Sequence, residues 1–203
     1  MFPFDVILFD VGGVLLTNGW DHKERAEVLP RFHLDPAEFE SRHVEPYRAW
    51  ERGAIPVAEY LDATVFYQPR SFSRDQFFSA ICNQSKLLPN GALGILKELA
   101  ASNRCLLGAL NNESRETNEY RFETFGLRSI FRVALSSCYL GLRKPDLAIY
   151  RTSLDILGRP PARILFIDDR GENAAAASEA GMKAILFQDA DVLRRELANL
   201  GVL

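Results

Sequence analysis

The sequence lacks any apolar run approaching the roughly 20 residues that a helix needs to cross a bilayer. Its first residues, Met-Phe-Pro-Phe-Asp, lack the basic segment of a secretion signal and pass directly into an apolar run. An excess of basic charge is also absent, because 24 Lys and Arg residues stand against 27 Asp and Glu residues. We therefore expect no membrane and no nucleic acid as partners, and a cytoplasmic location.

Cysteine and histidine are scarce, with three of each in 203 residues. The odd number of cysteines and their scattered, apolar settings predict reduced thiols in the core. The histidines share no ligand-like spacing with any cysteine, which argues against a zinc site. The residues concerned are Cys82, Cys105, Cys138, His22, His33 and His43.

Continuous apolar runs are what the sequence does contain, in a chain of ordinary globular composition (47% hydrophobic, 25% charged). Runs of this length without alternation are typical of strands buried on both faces of a parallel sheet. Each run ends at a polar or glycine-rich step. The runs span residues 6–9, 104–110, 131–135, 164–167 and 184–187.

Helical segments with start and stop signals lie between these runs. Asn90 is predicted to cap a helix that ends near Ser102, and Pro145 to open one that closes at Gly158. Further helices are expected over 114–126, 172–181 and 192–200. Alternation of strands and helices predicts an α/β fold with a doubly wound, Rossmann-like parallel sheet.

One long segment, 16–88, interrupts this alternation and contains no convincing buried strand. Residues 35–38 and 73–76 both resemble helix capping boxes, and the segment holds much of the aromatic content. We expect a helical cap inserted after the first strand and placed over the edge of the sheet. The predicted domains are a core of residues 1–15 and 89–203 and a cap of residues 16–88.

Polar residues follow three of the predicted strands, and a lysine lies in a loop ahead of the next helix. The carboxyl ends of parallel strands lie on one edge of a sheet, where ligand sites form, so we expect these residues to meet. Three carboxylates and a lysine together suit a magnesium ion and a phosphate, since hard oxygens bind the cation and lysine neutralises the oxyanion. The residues are Asp10, Asn111, Asn112, Lys144, Asp168 and Asp169.

Two simpler roles are also compatible with residues in this set and beside it. Asp168 and Asp169 could cap the following helix, although a cap needs only one carboxylate. Gly12 and Gly13 could begin a dinucleotide-binding loop, but Leu15 occupies the position of the third glycine.

Four segments in order resemble the motifs of the haloacid dehalogenase superfamily: residues 9–15, 110–112, 141–146 and 166–169. The insertion falls where that superfamily places its first (C1) type of cap. The first segment and residues 50–55 also resemble bacterial alpha-glucose-1-phosphate phosphatases. The resemblance implies a magnesium-dependent phosphatase that acts on a small phosphorylated metabolite, with a sugar phosphate as the lead, and a monomer or homodimer.

The resemblance also implies roles for individual residues. Asp10 would be the nucleophile, Lys144 would pair with it and with the phosphoryl oxygens, and Asn111 would donate a hydrogen bond to the transferring group. Asn173 would steady the metal ligands. The magnesium ligands would be Asp10, the carbonyl of Gly12, Asp169 and, as a supporting ligand, Asp168. The substrate-binding residues would be Gly12, Gly13, Asn112 and Arg143. Apart from the resemblance, Arg48, Arg52 and Arg143 are the cationic candidates for contact with a substrate.

Two positions depart from the family pattern. Gly12 stands where most phosphatases of the superfamily have a second Asp, which acts as general acid and contributes on the order of 10²–10⁴-fold in rate. Good leaving groups, such as those of anomeric or acyl phosphates, tolerate its loss. Asn111 stands where Ser or Thr is usual.

Two other functions remain open from the sequence. A 2-haloacid dehalogenase also lacks the second Asp and needs no metal, but Asp168 and Asp169 indicate a cation. A catalytically weak relative that binds a metabolite or a protein would show changes such as Gly12 and Asn111, although Asp10 and Lys144 are retained.

Overall fold

The computed structural model describes residues 2–203, and these contain a five-stranded parallel sheet with the strand order β3-β2-β1-β4-β5. This arrangement confirms the predicted α/β, doubly wound fold, in which the strand order reverses beside the first strand. The strands are β1 (Val6–Phe9), β2 (Leu106–Ala109), β3 (Val133–Ala134), β4 (Ile164–Asp168) and β5 (Lys183–Leu186).

The two central strands behave as the apolar runs predicted, and the edge strands do not. Every residue of β1 and β4 is buried. In β5, by contrast, Lys183 and Leu186 are exposed, and β3 is only two half-buried residues long. These last two strands each pair with one neighbour only, so the expectation of burial on both faces was wrong for them.

The insertion is helical, as predicted. Its helices are α1 (His22–Val28), α2 (Pro36–Glu51), α3 (Val57–Thr64) and α4 (Arg74–Cys82), and a 3-10 turn follows α1. Ser73 and Gln76 form the complete capping box of α4, whereas Asp35 caps α2 by accepting from the backbone N–H of Glu38 alone.

The remaining helices cover both faces of the sheet. They are α5 (Leu93–Ser102), α6 (Arg115–Thr124), α7 (Ser137–Leu140), α8 (Leu147–Leu157), α9 (Gly171–Glu179) and α10 (Ala190–Asn199). Gly158 ends α8 in the left-handed conformation, as predicted. Asn90 does not cap α5, because its own φ of 59° places it in a left-handed turn and the helix begins at Leu93.

Hydrophobic side chains form three clusters, two on the faces of the sheet and one within the insertion. The third cluster is rich in aromatic side chains: Trp50 stacks on Tyr60 with 4.4 Å between ring centroids, and Trp20 donates a 2.7 Å hydrogen bond to the Tyr60 hydroxyl. On this basis we propose the division into a core (residues 1–15 and 89–203) and a cap (residues 16–88).

The chain leaves the core and returns to it at one crossing. Leu16 pairs with Leu87 in an antiparallel bridge, and the backbone N–H of Thr17 donates to the carbonyl of Lys86 at 2.9 Å. The Thr17 hydroxyl also donates to the carbonyl of Gln84. The start and end of the insertion are therefore held side by side.

The cysteines and the lengths of the apolar helices were also predicted from the sequence. The three cysteines are free, and Cys82 and Cys138 are buried whereas Cys105 is half-buried. Among residues 2–203, no helix has the length and apolar character needed to span a membrane.

Candidate active site

The carboxyl end of the sheet brings Asp10, Lys144 and Asp168 into contact. Asp10 directly follows β1 and Asp168 ends the adjacent β4, so their side chains lie side by side. Lys144 Nζ lies 3.0 Å from Asp10 Oδ2 and donates to Asp168 Oδ2 at 2.6 Å and to the carbonyl of Leu110 at 2.9 Å. All three charged side chains are buried, and the lysine holds the two carboxylates together.

Burial controls the charges of this cluster. It raises the pKa of Asp10 to about 7, while Lys144 opposes the rise and Asp168 and Asp169 add to it. Burial also disfavours the charge of Lys144, but the two carboxylates beside it outweigh this effect and raise its pKa. An added positive charge would favour the ionised form of Asp10.

The carboxylates fit a divalent cation. One oxygen from each of Asp10, Asp168 and Asp169 lies within 4.8 Å of the others, and carboxylate oxygens are the ligands that magnesium prefers. The buried Oδ1 of Asp169 has no hydrogen-bond partner among residues 2–203. A cation would supply the partner that this oxygen lacks.

Asp168 differs from Asp169 because both of its oxygens are already engaged. Its Oδ1 accepts from the backbone N–H of Arg170 at 2.8 Å and from Asn173 Nδ2 at 2.9 Å, and its Oδ2 accepts from Lys144. Asn173 thus orients Asp168, and Asp168 orients the lysine. Asp169 is left as the carboxylate with a free acceptor.

The two asparagines after β2 have different surroundings. Asn111 is buried, and its amide accepts from Ser136 Oγ at 2.7 Å and donates to Asn118 Oδ1 at 3.0 Å. Asn112 instead exchanges two hydrogen bonds with the backbone of Lys144, at 2.8 and 2.9 Å. Asn112 therefore fixes the lysine, whereas the Asn111 amide is committed to neighbours within the core.

A cavity of about 250 Å³ opens above these residues between the core and the insertion. Among the residues expected from the sequence it is lined by Asp10, Gly12, Asn112, Arg143, Lys144 and Asn173. Sequence reasoning missed four lining residues of the insertion and three of the core. Those of the insertion are Asn18, Asp21, Tyr47 and Glu51, and those of the core are Arg121 in α6, Arg170 and Glu172.

Two expected cationic residues lie elsewhere. Arg48 and Arg52 line a separate hollow that Arg143 and Lys144 also border, and they do not face the cavity above Asp10. Of the three arginines singled out from the sequence, only Arg143 lines that cavity.

The space beside Gly12 is filled by other polar side chains. A Cβ atom at Gly12 would lie 3.1 Å from Asn18 Oδ1 and 3.8 Å from Arg121 Nη1. Arg121 is itself buried, pairs with Glu113 at 2.5 Å and donates to the carbonyl of Thr17. The chain thus has an amide and a guanidinium where an acidic side chain at position 12 would extend.

The insertion is attached firmly to the core on one side of the cavity. Glu116 of α6 accepts hydrogen bonds from Trp50 Nε1 and from the backbone N–H of Val57, each at 2.9 Å. Ser137 Oγ donates to the carbonyl of Glu51 at 2.7 Å. Arg170 and Asp21, which both line the cavity, form a further, exposed ion pair between the two parts at 3.1 Å.

Comparison with known proteins places the chain in a family. The model of the haloacid dehalogenase-like hydrolase family matches residues 4–181. The chain is 42% identical to flavin mononucleotide hydrolase 1, chloroplastic, of Arabidopsis thaliana over 199 residues, which cover 97% of this chain and 78% of the relative. The chain therefore belongs to the haloacid dehalogenase-like hydrolases.

Longer proteins and solved structures also resemble the chain. It is 26% identical to bifunctional epoxide hydrolase 2 of Sus scrofa over 211 residues, which make up 95% of this chain but only 38% of the relative. The fold matches the magnesium complex of a haloacid dehalogenase family enzyme, bt-2542 of Bacteroides thetaiotaomicron, with a TM-score of 0.77, 21% identity and coverage of 95% and 99% of the two chains.

Proposed function

We propose that this chain is a magnesium-dependent phosphatase that hydrolyses a small phosphorylated metabolite through an aspartyl-phosphate intermediate on Asp10. The observation that carries the proposal is the contact of Asp10 with Lys144 at the end of the sheet, beside the carboxylates of Asp168 and Asp169. Asp10 and Lys144 both line the cavity. The Arabidopsis relative is named as a hydrolase of flavin mononucleotide, a phosphate ester, which supports the same reaction class.

Asp10 acts as the nucleophile in this proposal. One of its carboxylate oxygens forms a bond to phosphorus as the bond from phosphorus to the leaving oxygen breaks. Water then attacks the phosphorus of the acyl phosphate, releases inorganic phosphate and restores Asp10. The backbone N–H of Val11 donates to Asp10 Oδ1 at 2.7 Å and holds the carboxylate in one orientation.

Lys144 positions and neutralises charge during both steps. Its ammonium group contacts Asp10 and is held by Asp168, so it can also reach oxygens of a phosphoryl group bound to Asp10. Asn112 fixes the lysine backbone from the other side. Phosphoryl transfer depends mainly on such positioning and charge stabilisation.

Asp10, Asp169, the carbonyl of Gly12 and, in support, Asp168 would hold magnesium. When bound, the ion would supply positive charge that favours the ionised nucleophile and offsets the charge of the transferring group. Asn173 would keep Asp168 in place through its hydrogen bonds.

The leaving oxygen takes its proton from solvent in this scheme, because Gly12 carries no acid. We therefore propose substrates whose leaving groups are already stable as anions, with a sugar 1-phosphate as the lead. The amide of Asn18, beside Gly12, can donate a hydrogen bond but not a proton.

Hydrolysis of an activated aryl phosphate, with and without magnesium, tests the proposal. We expect turnover by the natural chain that is abolished by chelator and restored by magnesium. Asp10→Asn should lose at least about 10³-fold in kcat, since it removes the nucleophile. Asp155→Asn, which changes an exposed carboxylate of α8 that does not line the cavity, is the matched control.

The alternatives give different results in the same assay series. Chloride release from a 2-haloacid in the presence of chelator would establish a dehalogenase instead. Absence of both activities in the folded, magnesium-supplied chain would leave a binding protein. The predicted cytoplasmic location and the choice between monomer and homodimer remain predictions.

A further inference from the structure

Arg170 has the most accessible side chain of the four cationic residues that line the cavity. Its backbone N–H donates to Asp168 Oδ1 at 2.8 Å, which fixes its main chain beside the end of the sheet. Its side chain is 51% exposed, against 24% for Arg143, 2% for Arg121 and 1% for Lys144. A ligand that enters the cavity can therefore reach the side chain of Arg170.

The ion pair of Arg170 also differs from those of the other three cations. Arg170 pairs with Asp21 of the insertion, whose side chain is 43% exposed. Exposed pairs of this kind contribute little to stability, whereas breaking a buried pair leaves a carboxylate without its counter-charge. The other cations of the cavity are paired with carboxylates that are at most 6% exposed: Lys144 with Asp168, Arg121 with Glu113, and Arg143 with Glu51. Arg170 is thus the cation that can exchange its partner with the smallest loss of stability.

The charge of Arg170 is within the electrostatic reach of the nucleophile. Burial disfavours this charge, but the carboxylates of Asp21, Asp169 and Asp10 outweigh the effect and raise the pKa of Arg170. The cavity of about 250 Å³ is also smaller than the roughly 300–1,000 Å³ of most small-molecule sites, so a group at Asp10 lies close to each wall. A guanidinium group can bind phosphate oxygens through two parallel hydrogen bonds.

We propose that Arg170 binds the phosphoryl group, and that Asp21 competes with the phosphoryl group for Arg170. The inference rests on the proposed phosphatase function. When a ligand binds, the guanidinium exchanges the Asp21 carboxylate for phosphoryl oxygens, and the carboxylate returns to solvent. No proton moves in this exchange. The two partners of the ion pair therefore have opposite effects on the binding of phosphate: Arg170 strengthens it and Asp21 weakens it.

Binding of inorganic phosphate in the presence of magnesium, measured by isothermal titration calorimetry, tests the proposal without turnover. We expect Arg170→Gln to raise the dissociation constant about 10-fold or more, because charge-assisted hydrogen bonds are lost. Arg170→Lys keeps the charge but not the planar fork, and its effect should be smaller. Asp21→Asn should lower the dissociation constant about two- to fivefold, because it removes the competitor. Asparagine is as good a helix cap as aspartate, so α1 keeps its start.

A double variant separates competition from general repulsion between negative charges. If Asp21 acts through Arg170, Asp21→Asn should have no effect on phosphate binding in the Arg170→Gln background. Arg194→Gln is the matched control, because Arg194 is 50% exposed, pairs with Glu98 at 2.7 Å and does not line the cavity. Its dissociation constant should stay within about twofold of that of the natural chain. Circular dichroism and thermal melting establish that each variant is folded.

Several outcomes would overturn the proposal. Arg170→Gln with unchanged phosphate binding removes Arg170 from the site, and so does a natural chain that binds no phosphate. An equal gain from Asp21→Asn with and without Arg170 assigns the effect to repulsion and rejects the competition. Hydrolysis of the aryl phosphate, measured alongside, separates this inference from the proposed function. Turnover together with phosphate binding that is independent of Arg170 rejects the inference alone, whereas Arg170-dependent binding without turnover rejects the phosphatase alone.

Discussion

Asp169 lies directly against Gly13, so that a Cβ atom at Gly13 would be 2.1 Å from Asp169 Oδ2. Gly13 also has a φ of 71°, in the left-handed region that favours glycine. The backbone after β1 can therefore approach the carboxylate after β4 only because position 13 has no side chain. This contact holds together the two loops that carry Asp10 and Asp169.

Replacement of Gly13 by Ala should displace Asp169 and lower activity on an aryl phosphate by at least about 10-fold, with a loss of about 1–3 kcal/mol in stability. Gly158→Ala is the matched control. Gly158 also has a positive φ, 59°, but no atom lies within 4 Å of its added Cβ. Equal losses of activity in the two variants would show that backbone strain alone, and not the contact with Asp169, explains the effect.

Lys144 neutralises a carboxylate that has no exposure to solvent. Lys144→Met leaves Asp168 buried without its ion pair, which should lower the free energy of unfolding by about 3 kcal/mol and abolish activity. The double variant with Asp168→Asn should regain much of that stability but remain inactive. Urea unfolding measures the first effect and aryl phosphate hydrolysis the second. A double variant no more stable than Lys144→Met would contradict the assigned pairing.

Magnesium should stabilise the folded chain even when no substrate is present. A ligand at about 100 times its dissociation constant adds about 2.7 kcal/mol, which a thermal melt detects as a higher Tm. Asp169→Asn should remove most of this rise, because it replaces the carboxylate oxygen that lacks a partner. Asp146→Asn, at a well-exposed carboxylate, should keep it. A full rise in Asp169→Asn would exclude Asp169 as a ligand.

His43 should make the insertion sensitive to acid. Burial lowers its pKa from the usual 6.5 to about 4, with Arg25 adding to the effect, and its Nδ1 lies 2.9 Å from the Tyr60 hydroxyl. The unfolded chain therefore binds a proton before the folded chain does. The free energy of unfolding therefore has its full value above about pH 6.5. It decreases as the pH falls towards 4, and the decrease is about 2 kcal/mol at about pH 5.

Urea unfolding at about pH 7 and about pH 5 measures this loss. His43→Gln cannot take up the proton, so its stability should fall less between the two values. The same fall in both proteins would assign the acid sensitivity to other groups.

The two central strands of the sheet could be predicted from the sequence because their signals are local. Residues 6–9 and 164–167 are continuous apolar runs, each followed by an aspartate, and both lie in fully buried strands. Residues 184–187 carry a similar run, but the position of β5 at the edge depends on the order of the strands, which no local pattern encodes. The left-handed backbone conformation of Asn90, which makes it a turn residue and not the cap of α5, is likewise not encoded in a local pattern.

Only part of the site could be predicted from the sequence, for a related reason. Parallel strands bring Asp10, Lys144 and Asp168 to one edge, so their meeting follows from the topology. Which residues of the insertion lie above them depends on how α2 packs on α6 and α7. Glu51 and Tyr47 are spaced as neighbours on a helix, and that spacing alone does not distinguish a cavity wall from an ordinary buried face.

The single crossing at Leu16 and Leu87 separates the residues proposed for the reaction from the residues of the insertion that line the cavity. The residues proposed to cleave the phosphate all belong to the core, whereas Glu51 and Tyr47 belong to the piece of chain between the two halves of the crossing. A different insertion can join the same sheet if it begins and ends at these two neighbouring points and supplies hydrogen-bond partners for Glu116 and Ser137. New substrate preference can thus be acquired by grafting, while the reaction itself is inherited unchanged.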